Sequence, residues 1–443
     1  PRSTLFPYTT LFRSYREMKD KGLASENAMI MAMTRSTSSV FSSSITTIIG
    51  FAALISMRYG IGLDMGLVLS KGVAISLVCA FTLLPCLVLA CEKALDKTHH
   101  TPLVKSASTL AKVSARVAKP GMAVFVLLLV CALAVQPQAN YYYGSSHLYP
   151  DDHQVMIDKA KIDAVFGQTN TVALLVPKGE PAEETLLAAE LEGFPEVVSI
   201  TSYASTVGFR IPPQAVPDET LSLLMSEDYS RMVVTLDADE ESEATFALLD
   251  RIEQAAQAHY ADKVHLVGGS VSTKDLKSVI TADNRTVNAI AIIAIFLVLC
   301  LAMRSVKLAV LLTLCIKASI WISMMYPILM GDWLFYIGNL IVSSILLGTT
   351  VDYAILETNR FREFSLLEDV DAALRDSIAH SGISVLTSGF ILGAAGALLG
   401  VICTDQLTAQ LGWMLARGTA VAVLVVLFVL PGFLRVLTRW QRA

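Results

Sequence analysis

One acidic side chain, Asp352, stands inside an apolar run and is followed directly by Tyr353. The run belongs to the stretch from Leu334 to Glu363, which predicts a membrane-spanning helix, because about 20 apolar residues cross a bilayer. A carboxylate at that depth costs about 3 kcal/mol or more, so such residues usually have a function. A dry site disfavours the charged form and allows a carboxyl group to load and unload protons. The alternative is an acid neutralised by a neighbouring helix for packing.

Hydroxyl side chains near Asp352 form a candidate polar path between the acid and water. Serine and threonine also serve helix packing in membranes, which is an equally common role. The path residues lie on the same helix or on the next span: Thr349, Thr350, Ser384, Thr387 and Ser388.

Three cations also interrupt apolar runs. Lys317 stands ten positions after Lys307, which places it about 15 Å deep at a rise of 1.5 Å per residue. Asp352 has a similar predicted depth on the adjacent span, so Lys317 is a candidate ion-pair partner. Lys71 and Arg417 lie nearer the outer ends of their spans and have no assigned role, and snorkelling to the surface explains them equally well.

The composition indicates which kind of protein carries these residues. Of 443 residues, 54% are hydrophobic and 16% are charged, and long apolar runs predict a multispanning α-helical membrane protein. The charge is segregated, because Tyr141 to Asp283 holds 24 acidic and 9 basic residues, whereas the whole chain has 39 and 34. This asymmetry favours export of the acidic segment. It also favours a cytoplasmic location for the basic linker at 91–120.

Changes in hydropathy and charge divide the chain into segments. Residues 1–14 resemble a translated sequencing adapter and are set aside, so we expect an N-terminally truncated fragment. Short β-branched runs alternate with helical patterns in one segment, as in a compact exported α+β domain. The remaining assignments are an interfacial helix with two spans at 15–90, a linker at 91–120, a span at 121–140, the exported domain at 141–283 and five spans at 284–443.

Two copies of one pattern lie 346 positions apart. Met65 to Pro85 aligns without gaps on Leu411 to Pro431, with glycines, a cation and a proline at matching positions. This predicts a parallel repeat, whose two copies cross the membrane in the same direction. Polar helices are expected at 15–37 and 365–380, with the first span at 40–57. The counterpart of Asp352 would fall at position 6, inside the segment that is set aside.

The chain resembles transporters of the resistance-nodulation-division (RND) superfamily, in their MMPL-like branch. The resemblance rests on GTTVDYAILETNRFRE, which contains Asp352 and Tyr353, and on SSSITTIIGFAALISMRYGIGLDMGLVLSKG at 42–72. It implies twelve spans in two repeats, each with an exported porter domain, and a bacterial cell membrane location. It further implies that Asp352 and Tyr353 form a proton relay that drives export of lipids, hydrophobic compounds or drugs.

Other kinds of protein fit the residues less well. The sequence has no phosphate-binding loop for ATP-driven transport, and nothing in it suggests an enzyme, a cofactor, a metal site or nucleic-acid binding. The expected partners are the lipid bilayer, a hydrophobic or lipid-like substrate and protons, and a homo-oligomer is left open. The alternative function is a sterol-sensing-domain-like receptor or scaffold that uses related spans without transport.

Overall fold

The computed structural model describes residues 15–16, 18–19, 21–97, 108–150, 152–167, 170–208 and 210–442. The segment at 1–14 and the linker residues 98–107 lie outside the described residues. The chain forms two compact units, Tyr142–Thr281 and the residues before and after it. We call the first the α/β unit and the second the membrane unit.

The elements are numbered in chain order. The α-helices are Ser25–Ala52 (α1), Gly60–Phe81 (α2), Leu83–Ala90 (α3), Glu92–Lys97 (α4), Ser108–Val135 (α5), Gln154–Phe166 (α6), Pro181–Glu192 (α7), Tyr203–Thr206 (α8), Asp218–Leu224 (α9), Glu243–Tyr260 (α10), Gly269–Met303 (α11), Val306–Met330 (α12), Tyr336–Ser365 (α13), Val370–Ile402 (α14), Gln406–Leu424 (α15) and Leu430–Arg442 (α16). Short 3-10 helices lie at Ala53–Ser56, Gln136–Gln138, Pro213–Ala215 and Ala261–Lys263, and a π-helix lies at Val425–Val429. The strands are Asn170–Pro177 (β1), Val197–Thr201 (β2), Tyr229–Leu236 (β3) and His265–Gly268 (β4), with two-residue strands at Tyr141–Tyr142 and Leu334–Phe335.

Seven helical segments of the described chain are long and apolar enough to cross a membrane, which confirms the multispanning α-helical fold. They are Gly60–Phe81, Ser108–Gln138, Gly269–Met303, Val306–Met330, Tyr336–Ser365, Val370–Ile402 and Gln406–Arg439. The first expected span, at 40–57, is present as a shorter apolar segment, Ser43–Ser56. Its serine and threonine residues reduce its hydropathy.

Residues 25–37 and 370–380, within the polar helices expected at 15–37 and 365–380, are helical, but neither stretch is a helix of its own. α1 runs from Ser25 to Ala52 and α14 runs from Val370 to Ile402, so each begins polar and continues into an apolar half. No proline interrupts either helix, and the backbone hydrogen bonds therefore continue across the change in polarity. A change of polarity alone does not end a helix.

A close helix contact recurs in both copies of the repeat. A Cβ atom added at Gly66 would lie 3.0 Å from the carbonyl oxygen of Phe51, and one at Gly412 would lie 2.6 Å from that of Gly396. Gly66 and Gly412 are 346 positions apart, and Phe51 and Gly396 are 345 apart. The repeat in the sequence is thus a repeat in structure, and it uses small residues to bring helix backbones together.

The matching prolines disturb the helices in both copies. α2 ends at Phe81, four positions before Pro85, and the π-helix ends at Val429, just before Pro431. Proline lacks a backbone donor and clashes with the carbonyl group four residues earlier, so a regular helix cannot continue through the preceding turn. A broken helix in one copy and a π-helix in the other are two responses to the same constraint.

The α/β unit contains four longer strands, which form one antiparallel sheet of order β2-β3-β1-β4. Because β1 and β2 both pair with β3, they run parallel to each other, and α7 connects them. The strands β3 and β4 are related in the same way through α10. These are two interleaved split βαβ motifs, which is the ferredoxin-like arrangement.

The sheet is amphipathic, and its core follows from the alternation along the strands. In β3, Met232, Val234 and Leu236 are buried while their neighbours are partly exposed. α10 places buried side chains such as Leu249 and Ile252 in the same hydrophobic cluster. A period of two on the strand and a period near 3.6 on the helix therefore produce matching apolar faces.

Candidate functional site

Asp352 lies on α13, where α1 approaches closely. The Ser43 hydroxyl of α1 donates a hydrogen bond to Oδ2 of Asp352. The approach is permitted by glycine, because a Cβ atom added at Gly50 of α1 would lie 3.3 Å from Cα of Gly348. One turn from Ser43, the Thr47 hydroxyl donates across the same crossing to the carbonyl oxygen of Gly348 over 3.3 Å. The sequence thus builds a close crossing with hydroxyl groups on one side and the acid on the other.

The second oxygen of the carboxyl group is unused. Asp352 is partly exposed as a residue, but its Oδ1 atom is buried and has no hydrogen-bond partner among the described residues. Buried acceptors are nearly always satisfied, and an exception calls for an explanation. A proton on Oδ1 would turn this acceptor into a donor and remove the charge. This oxygen is therefore chemically able to take up a proton.

Tyr353 is fully buried, and its hydroxyl group is also without a hydrogen-bond partner among the described residues. It therefore does not donate to Asp352 in this structure, although the two residues are adjacent in sequence. Successive positions on a helix point about 100° apart, so adjacency alone does not bring the two groups together. The relay through Tyr353 stays a prediction.

The five hydroxyl residues of the candidate path do not supply the partner of Asp352. Thr349, Thr350 and Thr387 each donate to the carbonyl oxygen four residues earlier in their own helix, over 2.9, 2.6 and 2.8 Å. Such bonds are the ordinary alternative for threonine in a helix. Ser388 is buried, and Ser384 is partly buried, on α14. Ser388 lies 345 positions after Ser43 and is its counterpart in the repeat.

Lys317 is buried, and its ammonium group is held by an amide. Nζ donates to Oδ1 of Asn288 on α11 over 2.6 Å and lies 5.7 Å from the ring centroid of Trp321. Asn288 donates to Oδ1 of Asn284, and Nδ2 of Asn284 donates to the Tyr336 hydroxyl over 2.7 Å. In the described part of the chain Lys317 has no ion-pair partner within 4.0 Å. The ion pair with Asp352 that equal depth suggested is therefore not formed here.

The two repeat-equivalent cations occupy different surroundings. Lys71 is exposed on α2. Arg417 is partly buried on α15, and its guanidinium carbon lies 5.3 Å from the ring centroid of Tyr326, within cation–π distance. Neither cation approaches Asp352 within ion-pair distance among the described residues, and neither acquires a functional role from these contacts.

Sequence reasoning missed two residues, Ser43 and Glu357. Ser43 was one of several hydroxyl residues in the first span, and nothing local distinguished it. Glu357 was not singled out, although it lies within α13, which continues to Ser365, and its side chain is completely buried. The sequence did indicate that the helix continues past Glu357, because no helix-breaking residue separates Asp352 from Arg360.

Among the described residues, no group of three or more histidine, cysteine, aspartate or glutamate side chains could hold a metal ion. The polar groups described above are hydroxyl, amide, ammonium and carboxyl groups. Proton binding at a carboxyl group is the reaction that these groups support most directly.

Comparison with known proteins places these residues in context. The model of the MMPL family matches residues 8–105 and 147–443, and its match begins inside the segment that we set aside. A search of curated proteins finds no match. A crystal structure of SecDF in its super-membrane-facing form is similar in fold, with a TM-score of 0.56 and 16% identity. The alignment covers 98% of this chain and 52% of the SecDF chain, so this chain spans about half the length of that protein.

Proposed function

The chain belongs to the MMPL family, and on that premise we propose that it is part of a proton-driven exporter of the RND type. The substrates are lipids, hydrophobic compounds or drugs, and protons moving down their gradient supply the energy. The protein acts in the bacterial cell membrane, with residues 141–283 on the extracytoplasmic side. It is not an enzyme, needs no cofactor, and its partners are the bilayer, the substrate, protons and, in an oligomer, further copies of itself.

The observation that carries this proposal is the hydrogen bonding and burial of the two Asp352 carboxyl oxygens. One oxygen accepts a hydrogen bond from Ser43, and the other is buried and open for a proton. An ionisable group within a membrane-spanning helix is costly and marks ion and proton pathways. Asp352 is such a group in Tyr336–Ser365, which is long and apolar enough to span the membrane.

Proton binding at Asp352 acts on the packing of two helices. A hydrogen bond to an ionised acceptor is roughly twice as strong as one between neutral groups. The bond from Ser43 is therefore strong while Asp352 is charged and weakens when Oδ1 takes a proton. Loading and unloading the proton changes the attraction between α1 and α13, and this change is the step that drives export.

The proposal is tested with Asp352→Asn in the full-length protein, reconstituted in vesicles with an imposed proton gradient. Export of a fluorescent lipid should follow the gradient in the wild type and stop in the variant, while membrane insertion is unchanged. Asp64→Asn is the matched control, because Asp64 is exposed on α2 and the same chemical change there removes no buried acid. Gradient-driven export by Asp352→Asn would reject the proposal.

If the protein is a receptor or scaffold, the vesicle experiment should give the opposite result for the wild type. There should be no gradient-dependent movement of lipid by the wild-type protein, although the protein would still bind a sterol or lipid. The same vesicles, tested without a variant, therefore separate the two functions.

A further inference from the structure

Glu357 is a second buried carboxyl group of the membrane unit, and the exporter proposal does not use it. Its side chain is completely buried on α13, eight positions before the helix ends at Ser365. We propose that Glu357 is a separate proton-binding site, which changes the packing of α13 against α14 when it gains or loses its proton. This proposal does not depend on transport by Asp352.

Both oxygens of Glu357 have specific partners on the neighbouring helix. The Ser377 hydroxyl donates to Oε1 over 2.7 Å, and the Ser381 hydroxyl donates to Oε2. Ser377 and Ser381 are themselves completely buried, and they lie one turn apart on the same face of α14. A carboxylate removed from water needs such donors, because an unsatisfied buried charge is very costly. The site is therefore able to hold the ionised form.

The same site can also hold the protonated form without leaving a polar group unsatisfied. Ser377 Oγ lies 3.0 Å from the carbonyl oxygen of Leu374, and Ser381 Oγ lies 2.8 Å from that of Ser377. Each hydroxyl hydrogen thus has two acceptors in reach, the carboxyl group and its own helix backbone. When Glu357 binds a proton, its own O–H donates to one serine oxygen, and that serine turns its hydrogen to the backbone. The proton count balances, since one proton arrives and every donor keeps an acceptor.

These distances favour a proton over a metal cation. The 2.7 Å between Oε1 and Ser377 Oγ is an ordinary O–H···O hydrogen bond. A bound sodium or calcium ion would stand between these oxygens, and metal–oxygen distances of about 2.3–2.6 Å would hold them farther apart. The spacing between the carboxyl and hydroxyl oxygens fits a shared hydrogen atom. The experiment described below would also detect sodium binding.

The charges around Glu357 are few and already paired. Among the described residues, the charged group that acts on Glu357 is Arg360, which is 2% exposed and forms a 2.6 Å ion pair with Glu363 near the helix end. The charged groups of α14 are engaged elsewhere or exposed. Asp371 pairs with Arg435 and Arg439, Asp376 interacts with Glu368, His380 Nδ1 contacts the carbonyl oxygen of Asp376, and Arg375 is exposed.

Glu357 is separate from Asp352 in both direction and partner. The two residues are five positions apart on α13, which is about 7.5 Å along the axis and about 140° around it. Asp352 meets Ser43 of α1, whereas Glu357 meets Ser377 and Ser381 of α14. The helices α1 and α14 are repeat counterparts, so α13 carries one carboxyl group toward each of two equivalent helices. Protonation at Glu357 weakens the α14 contact and leaves the α1 contact in place.

Infrared difference spectroscopy of the 443-residue chain in lipid bilayers tests this proposal. A carboxyl C=O band that grows as the pH falls should be present in the wild type and lost in Glu357→Gln. Asp352→Asn should retain that band, so the test of Glu357 is independent of whether the protein exports a substrate. Ser377→Ala combined with Ser381→Ala should shift the frequency of the band, because the hydrogen bonds to the carboxyl group are gone. Ser344→Ala is the matched control, since Ser344 is buried on α13 and its hydroxyl donates to the carbonyl oxygen of Leu340.

Three results would overturn the proposal. The first is a spectrum whose titrating bands are the same in the wild type and in Glu357→Gln. The second is a Glu357 band that stays constant between acidic and alkaline pH, which would make the residue a fixed packing group. The third is a band that responds to sodium at constant pH, which would make the site a metal-cation site. Glu357→Gln is nearly isosteric, and if it fails to fold, the double serine variant still reports on the same band.

Discussion

The Ser43 hydroxyl donates a hydrogen bond to Oδ2 of Asp352, although the two residues are 309 positions apart in the chain. The contact joins α1, from the first copy of the repeat, to α13, from the second. The acid of one copy is therefore held by the other, which couples the two copies at the point where a proton would bind.

A double-mutant cycle tests this contact. Ser43→Ala should lower the free energy of unfolding by about 1.5–3 kcal/mol, the range for a hydrogen bond to a charged group. In an Asp352→Asn background the same change should cost about 1 kcal/mol less, because the partner is neutral. Equilibrium unfolding in lipid–detergent mixtures measures both. Thr37→Val on α1 is the control, since Thr37 is exposed and bonds its own helix backbone. Strictly additive effects would contradict the contact.

Substitution of Lys317 distinguishes an ion pair with Asp352 from the observed contact with the Asn288 amide. Lys317→Met should leave the pH profile of export where it is in the wild type, because the ammonium group is bound to Asn288 and not to Asp352. Asn288→Leu should lower the free energy of unfolding by about 1.5–3 kcal/mol, because it strands the buried ammonium group. Adding Lys317→Met should recover most of that loss. A shifted pH profile in Lys317→Met would restore the ion pair to the mechanism.

His259 of the α/β unit should titrate above its usual range. Its Nδ1 lies 2.9 Å from Oε2 of Glu183 and its Nε2 lies 3.0 Å from Oε2 of Glu190. The protonated ring donates to both carboxylates, which raises the pKa of the imidazole above 6.5. Its contribution to stability should be fully present below pH 6.5, the unfolded value, and be lost as the pH rises through the higher folded pKa.

Nuclear magnetic resonance titration of the seven histidines checks this prediction, with His259→Gln assigning the signal. Combining Glu183→Gln with Glu190→Gln should bring the midpoint down toward 6.5. Glu192→Gln, an exposed change on the same helix, should leave the midpoint in place. A His259 midpoint below 6.5 in the wild type would contradict the assignment.

The repeated glycine contact predicts opposite effects of the same substitution at two sites. Gly412→Ala should destabilise the membrane unit by about 1–3 kcal/mol, because the new Cβ atom would lie 2.5 Å from the backbone nitrogen of Gly400. Gly72→Ala meets nothing within 4 Å and should stabilise its helix by about 1 kcal/mol. Unfolding of the two variants under identical conditions compares them. Equal effects would mean that the helices do not pack as closely as described.

Charge segregation predicts the orientation of the chain in the membrane. Single cysteines at Lys97 and Glu227, both exposed positions, should differ in their reaction with a membrane-impermeant thiol reagent added to intact cells. Position 227 should react and position 97 should react only after the cells are opened, in a background without the seven native cysteines. Labelling of position 97 from outside would reverse the topology.

Hydropathy, charge and local pattern determined much of this protein from the sequence alone. The apolar spans, the alternation of strands and helices in the acidic α/β unit, the parallel repeat and the position of Asp352 within a span all follow from properties of short stretches. Length and composition decide whether a segment can cross a bilayer, and alternation decides which face of a strand is buried. These features needed no knowledge of which helices would become neighbours.

The partners of the polar groups were decided only by the tertiary structure. Sequence reasoning estimated the depth of Asp352 and Lys317, but depth is one coordinate, and contact also requires that the two side chains point toward each other. The rotation of each helix and its choice of neighbouring helix determine the contacts. Asp352 bonds to Ser43, Lys317 bonds to Asn288, and Glu357 bonds to two serines of α14. Such contacts join residues far apart in the chain, and packing of the whole membrane unit selects them.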